Sequence, residues 1–257
     1  MVEEITYNSI SRFSNRAENY MKYRPGYPEA LVPFLETRFA LPESASVADI
    51  GSGTGLFGEL LLKKGYAVTG VEPNVEMAEA AEAKLSKYSA FTSLRNRAEE
   101  TALPAQSQDL ITVAQAFHWL DPIATKEEFR RILKPGGHVV LAWNIPQVDT
   151  PFMTRYLQLK DEYKGEEKMP EKINEYAISD FFLPGGFETA IFPNTQTLDF
   201  EGLKGQLLSS SYIPLPGHPS YQQMINSLIQ LFIACNESGF VHMKFNTVLY
   251  WNSGTDF

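Results

Sequence analysis

The chain has 257 residues, 44% of them hydrophobic and 21% charged, with a formal net charge of −9. That length and apolar fraction suit one large globular domain with a sizeable core. An acidic chain with no block of lysine and arginine lacks the cations that an extended nucleic-acid groove needs.

The single cysteine, Cys235, leaves no intrachain disulfide. The N-terminal residues carry acids and no apolar core of a signal peptide. The most apolar run, "MINSLIQLFIAC", is too short and too polar to span a bilayer. The expectation is a reducing, cytoplasmic setting with no nucleic-acid or membrane partner; the sequence leaves the oligomeric state open.

Residues 1–45 read as an N-terminal arm, which carries the aromatic and basic run "YMKYRPGYP" at 20–28. From 46 to 145, strand-like and helix-like blocks alternate. "VADI" (47–50) is a short apolar strand, and "LFGELLLKKG" is a helix that Gly65 ends. "AVTGVE" (67–72) is a second strand, and Asn74 caps the helix "VEMAEAAEAKLSK". "FTSLR" gives a third strand and "DLITVAQAF" (109–117) a fourth. "KEEFRRIL" is an amphipathic helix closed by "KPGG", and "HVVLAWN" (138–144) is a fifth strand.

This order implies βαβ units, a parallel sheet covered on both faces, and a ligand beyond the carboxyl ends of the strands. Residues 146–183 read as a helical insert, a lid beside the sheet, containing a helix at 151–164 and a charged loop "GEEKMPEK". In 184–257, "PGGF" turns into a strand near 188–192. A helix "SYQQMINSLIQLFIACNESG" then ends at Gly239, and "VHMKFNTVLYWN" (241–252) alternates like a half-buried strand.

The stretch "VADIGSGTGLFGELL" has two readings. From Gly53, "GTGLFG" satisfies the dinucleotide pattern G-x-G-x-x-G. That match begins two residues after the strand, whereas a pyrophosphate site needs its first glycine directly there. From Asp49, an acid precedes Gly51, Gly53 and Gly55 at alternating positions. Glu72 ends the second strand, where a carboxylate accepts hydrogen bonds from both hydroxyls of a ribose. An acid for an ammonium group, a glycine turn and a ribose-binding acid together suit S-adenosylmethionine (SAM).

"VADIGSGTG", "GVEPN", "NRAEETALP", "DLITVAQAFHWLD" and "FRRILKPGGHVVLAWN" resemble successive motifs of class I SAM-dependent methyltransferases, in particular the small-molecule enzymes called methyltransferase type 11. The resemblance covers residues 13–145. It implies an α/β, Rossmann-like sheet of seven strands in the order 3-2-1-4-5-7-6, with strand 7 antiparallel and helices on both faces. It also implies SAM as cofactor, S-adenosylhomocysteine (SAH) as its product, and a small-molecule acceptor.

Carried over residue by residue, Gly51, Gly53 and Gly55 approach the methionine part and ribose, and Asp49 lies near the methionine amino group. Glu72 holds the ribose, Pro73 flanks the adenine, Ala98 offers its N–H to it, and Glu99 sits beside it. Gln115 lines the sulfonium. Arg97 departs from the aspartate that many relatives carry before that alanine.

Arg24 is placed to meet the methionine carboxylate. Tyr20, Trp119 and Tyr212 are candidates for the acceptor side, and His118 and Tyr23 for the chemistry, His118 as a general base. Packing roles for Trp119, Tyr20, Tyr23 and Tyr212, a helix-capping role for His118, and a role for Asp49 in capping the following turn remain open. His138, His218 and His242 have no metal-ligand spacing, so no metal is expected. Two rival functions stay open as well: a non-catalytic SAM-binding protein and a nicotinamide-dependent oxidoreductase.

Overall fold

The computed structural model describes residues 17–165 and 173–252. Seven strands form one sheet in the order β3-β2-β1-β4-β5-β7-β6. They are β1 (Ser46–Ile50), β2 (Ala67–Val71), β3 (Phe91–Leu94), β4 (Gln108–Ala114), β5 (Leu133–Pro146), β6 (Phe187–Leu198) and β7 (Val241–Asn252). β1 to β5 run parallel, and β7 pairs antiparallel with both β5 and β6. The topology expected from the family resemblance is the one observed.

The central strands are buried on both sides because side chains alternate between faces. Val47, Leu110, Val140 and Leu249 face one core, which α2 (Leu31–Phe39) and α3 (Leu56–Lys64) cover through Leu31, Leu35, Phe57 and Leu61. Ile50, Ile111, Leu141 and Tyr250 face the other core. There α5 (Pro122–Ile132) and α7 (Glu175–Phe181) contribute Phe129, Ile178 and Phe181.

A third cluster stands apart. α6 (Pro151–Glu162), α8 (Phe200–Leu208) and α9 (Tyr221–Cys235) pack Tyr156, Leu203 and Leu228 around the N-terminal half of β7, at Met243 and Phe245. α1 (Ala17–Tyr23) lies against α8: a methyl added at Gly205 of α8 would fall 2.1 Å from the Tyr23 ring. The helical layer over the carboxyl end of the sheet therefore draws on α1, α8 and α9 as well as the 146–183 segment.

Most helices start where the sequence supplies a cap. Asn74 accepts from the Met77 N–H at 2.8 Å at the start of α4 (Val75–Leu85). Asp121 accepts from the N–H groups of Ile123 and Ala124, with Pro122 as the first helical residue of α5. Gly65 closes α3 in a left-handed conformation.

Among the boundaries that differ from expectation, three have a local cause. β4 stops at Ala114, because Gln115 adopts φ +60° and a 3-10 turn at Phe117–Trp119 follows. "KPGG" lies inside β5 as an irregularity: Gln108 pairs with Leu133 but Leu110 with His138. α9 ends at Cys235, where the Asn236 side chain donates to the Phe232 and Ile233 carbonyls. The arm before residue 17 and the 166–172 part of the expected charged loop lie outside the described residues.

Candidate functional site

Between β1 and α3 the chain must reverse direction over five residues. Gly51, Gly53 and Gly55 take φ of +63°, +55° and +74°, a region in which L side chains are strained. At Gly51 space is short as well, since an added Cβ would lie 2.5 Å from the Ala116 Cβ. Glu72, just past β2, ties the turn together. Its Oε2 accepts the Gly53 N–H and its Oε1 the Asn74 N–H, each at 2.9 Å. Burial raises the Glu72 carboxyl above its ordinary pKa, and these two N–H groups pull it back. A carboxylate oxygen accepts two hydrogen bonds, so each oxygen keeps capacity for a hydroxyl.

Gly51, Gly53 and Glu72 line a cleft of about 740 Å³ at the carboxyl ends of the strands. Pro73, Met77 and Leu120 supply apolar wall; Ala98, Glu99 and Gln115 complete it with Tyr20 and Trp119. Glu99 also accepts the Asp121 N–H at 3.0 Å, which fixes the start of α5 beside the cleft. Arg97, the departure from the family pattern, lines the cleft too. Gln115 holds its strained backbone by donating its N–H to the Ala142 carbonyl at 2.8 Å.

A second cavity, of about 1080 Å³, adjoins the first and shares Tyr20, Gln115 and Trp119 with it. His118, Arg24 and Tyr212 line this one. The His118 ring lies 5.0 Å from that of Trp119. The Arg24 guanidinium donates to the Ser209 carbonyl at 3.0 Å and stands 4.8 Å from the Tyr20 ring.

Three expected site residues line neither cavity. Asp49, 1% exposed, spends its carboxylate inside the fold. Oδ2 accepts the Gly58 N–H at 3.1 Å, in the first turn of α3, and Oδ1 accepts the Thr112 hydroxyl at 2.9 Å. Both oxygens are thus engaged within the fold, one at the start of α3 and one on β4. Gly55 serves packing, since a Cβ there would meet Leu85 Cδ1 at 2.5 Å. The Tyr23 ring is laid against Gly205, and its carbonyl accepts the Gln196 side chain at 2.9 Å.

One residue of the second cavity was missed. Lys160 is 8% exposed and lines it from α6. Its position four residues after Tyr156, on the stripe of Phe152, Met153, Tyr156 and Leu159, was the available signal. Burial, and then repulsion from Arg24, push its ammonium down to about 7.

Residues 48–141 match the family model described as a methyltransferase domain. Over that stretch the chain is similar to methyltransferase domains of the class I, SAM-dependent kind. An uncharacterized methyltransferase of Mycobacterium tuberculosis is 38% identical over 133 residues, 51% of each chain. This chain thus spans about half the length of that relative. One from Schizosaccharomyces pombe is 23% identical over 93% of this chain and 95% of its own.

Among solved structures, a candidate type II methyltransferase from Anaeromyxobacter dehalogenans superposes with a TM-score of 0.65 at 21% identity, over 90% of this chain and 97% of its own. A Haemonchus contortus N-methyltransferase solved with SAH gives 0.55 at 15% identity, over 93% of this chain and 57% of its own. At these identities the structures establish the methyltransferase fold.

Proposed function

We propose that the protein transfers a methyl group from SAM to a small-molecule acceptor, with the cofactor in the first cleft and the acceptor in the second cavity. The observation that carries this is the Glu72 carboxylate, which closes the glycine turn and faces the cleft with capacity for two hydroxyls. Gly51 leaves a cradle that a Cβ would fill, and Pro73, Met77 and Leu120 offer the flat apolar wall that a purine needs. The site's residues therefore fit the cofactor.

When bound, the sulfonium supplies an electrophilic methyl. Glu72 holds the ribose, and Arg24 meets the methionine carboxylate from the second cavity's side. Tyr20, Gln115 and Trp119, shared by both cavities, align the two ligands and exclude water. His118 takes the acceptor's proton where the acceptor has one to lose. The arm in 1–45 and the 146–183 segment act as the lid. The single cysteine fits a reducing compartment, and a cytoplasmic setting is part of this reading.

Calorimetric titration with SAM, SAH and NAD tests the reading. Micromolar binding of the first two and none of the third is expected; binding of NAD alone overturns it. In the same assay Glu72→Ala is expected to weaken SAH by about 1–3 kcal/mol. Unchanged affinity in a folded variant moves the ribose elsewhere. His118→Ala is expected to lower transfer of labelled methyl into a metabolite extract by about 100-fold, the lower end for a general base. SAH binding should stay intact. Undiminished transfer would return His118 to packing against Trp119.

A further inference from the structure

We propose that the second cavity takes an acceptor bearing a carboxylate, held at that group by Lys160; this rests on the methyl-transfer reading above. Lys160 sits on the inner face of α6, and its Nζ lies 5.7 Å from the ring centroid of Tyr156 and 5.3 Å from that of Tyr212. Among the described residues no carboxylate and no hydrogen-bond acceptor partners it. The Tyr156 hydroxyl is hydrogen-bonded to the Gln206 side chain. Two π faces alone do not satisfy an ammonium, which is left to draw its hydrogen-bond partners from the cavity.

The cavity's electrostatics point the same way. Among the described residues its charged lining consists of Lys160 and Arg24, with no aspartate or glutamate beside them. Burial that has already lowered the Lys160 ammonium favours any ligand that returns a negative charge to it. Arg24 is assigned above to the methionine carboxylate, which leaves one cation for one negative charge. A carboxylate matches that charge better than a phosphate monoester does. Trp143, Met153 and Phe245 supply apolar wall beside the polar side chains of Asn144, Gln206 and Ser211, so an apolar part of the body attached to the carboxylate has a surface to pack against. The acceptor is then oriented from its charged end, with its far end toward the shared residues Gln115 and Trp119.

The test is binding of 3-phenylpropionate, octanoate and adipate, with 3-phenylpropionamide and phenyl phosphate as comparisons, to the full chain with and without SAH. At least one carboxylate is expected to bind, and 3-phenylpropionate at least 10-fold more tightly than its amide. Lys160→Met is expected to remove that preference and to leave SAH affinity unchanged, while Lys160→Arg retains it. Equal binding of acid and amide, tighter binding of phenyl phosphate, no binding of any carboxylate, or an undiminished preference in Lys160→Met each overturns the proposal. The acid-against-amide comparison on the unaltered protein stands even if Lys160→Met fails to fold. Failure of SAH to bind defeats the cofactor reading instead. That result is separate, because the carboxylates are also titrated alone.

Discussion

Gly51→Ala is expected to remove SAH binding, with affinity falling at least 100-fold, and to lower the melting temperature by about 5–15 °C. Two effects add. The φ of +63° strains any residue with a Cβ, by about 1–2 kcal/mol. The new methyl also lies 2.5 Å from the Ala116 Cβ, an overpacking contact worth about 1–3 kcal/mol. For a chain of this size each kcal/mol moves the melting temperature by roughly 2–4 °C.

Ala116 has little freedom to retreat. It follows Gln115, itself at φ +60° and tied to Ala142, and both residues line the cleft. The clash therefore shifts the wall of the cleft rather than a free side chain. Gly53→Ala is the control: its φ is similar, but the nearest atom to the new methyl is Met77 Cε at 3.9 Å. It should lose only the conformational term in stability. Thermal unfolding and SAH calorimetry on both variants check this. Tight SAH binding by Gly51→Ala would mean the cofactor does not lie against this turn.

The glycine turn was legible in the sequence because its conformations require glycine at fixed offsets, and Glu72 because it ends a strand at the right distance. The sheet order was legible only through the family that the motifs resemble, since the order of motifs along the chain does not say which strands lie side by side. What was hidden depends on tertiary contact. Nothing in "AQAFHW" announces that Gln115 turns left-handed, because the Ala142 carbonyl that holds it comes 27 residues later. Tyr23 reads as a site aromatic until Gly205, on a helix 182 residues away, provides the surface that takes its ring. Lys160 reads as a solvated charge until α9, α8 and β7 bury the face it shares with Tyr156. Asp49 looked the same under both of its readings, since a strand-end acid beside a glycine turn can face outward to a ligand or inward to a helix start.

The inward placement of Asp49 has a large consequence for stability. Burial pushes its carboxyl up to about 7; the hydrogen bonds from Thr112 and Gly58 oppose the rise, and the charge of Glu72 adds to it. In the unfolded chain the same group titrates near 4. Between those two values the folded protein holds a proton that the unfolded chain has released, so stability falls as pH rises. The contribution is fully present below about pH 4 and is lost as pH passes 7. A difference of roughly 3 pH units corresponds to about 4 kcal/mol.

Asp49→Asn keeps an acceptor for the Gly58 N–H and an amide for the Thr112 hydroxyl, but it has no proton to lose. Its stability relative to the unaltered protein is therefore expected to improve by a few kcal/mol between pH 4.5 and pH 8, measured by denaturant unfolding at each pH. Asp49→Ala strips the start of α3 of its acceptor and is expected to lose about 1 kcal/mol relative to Asp49→Asn at every pH. A pH-independent gap between Asp49→Asn and the unaltered protein would mean that the carboxyl titrates in its ordinary range. Asp49 would then be hydrated, and so open to the cleft after all.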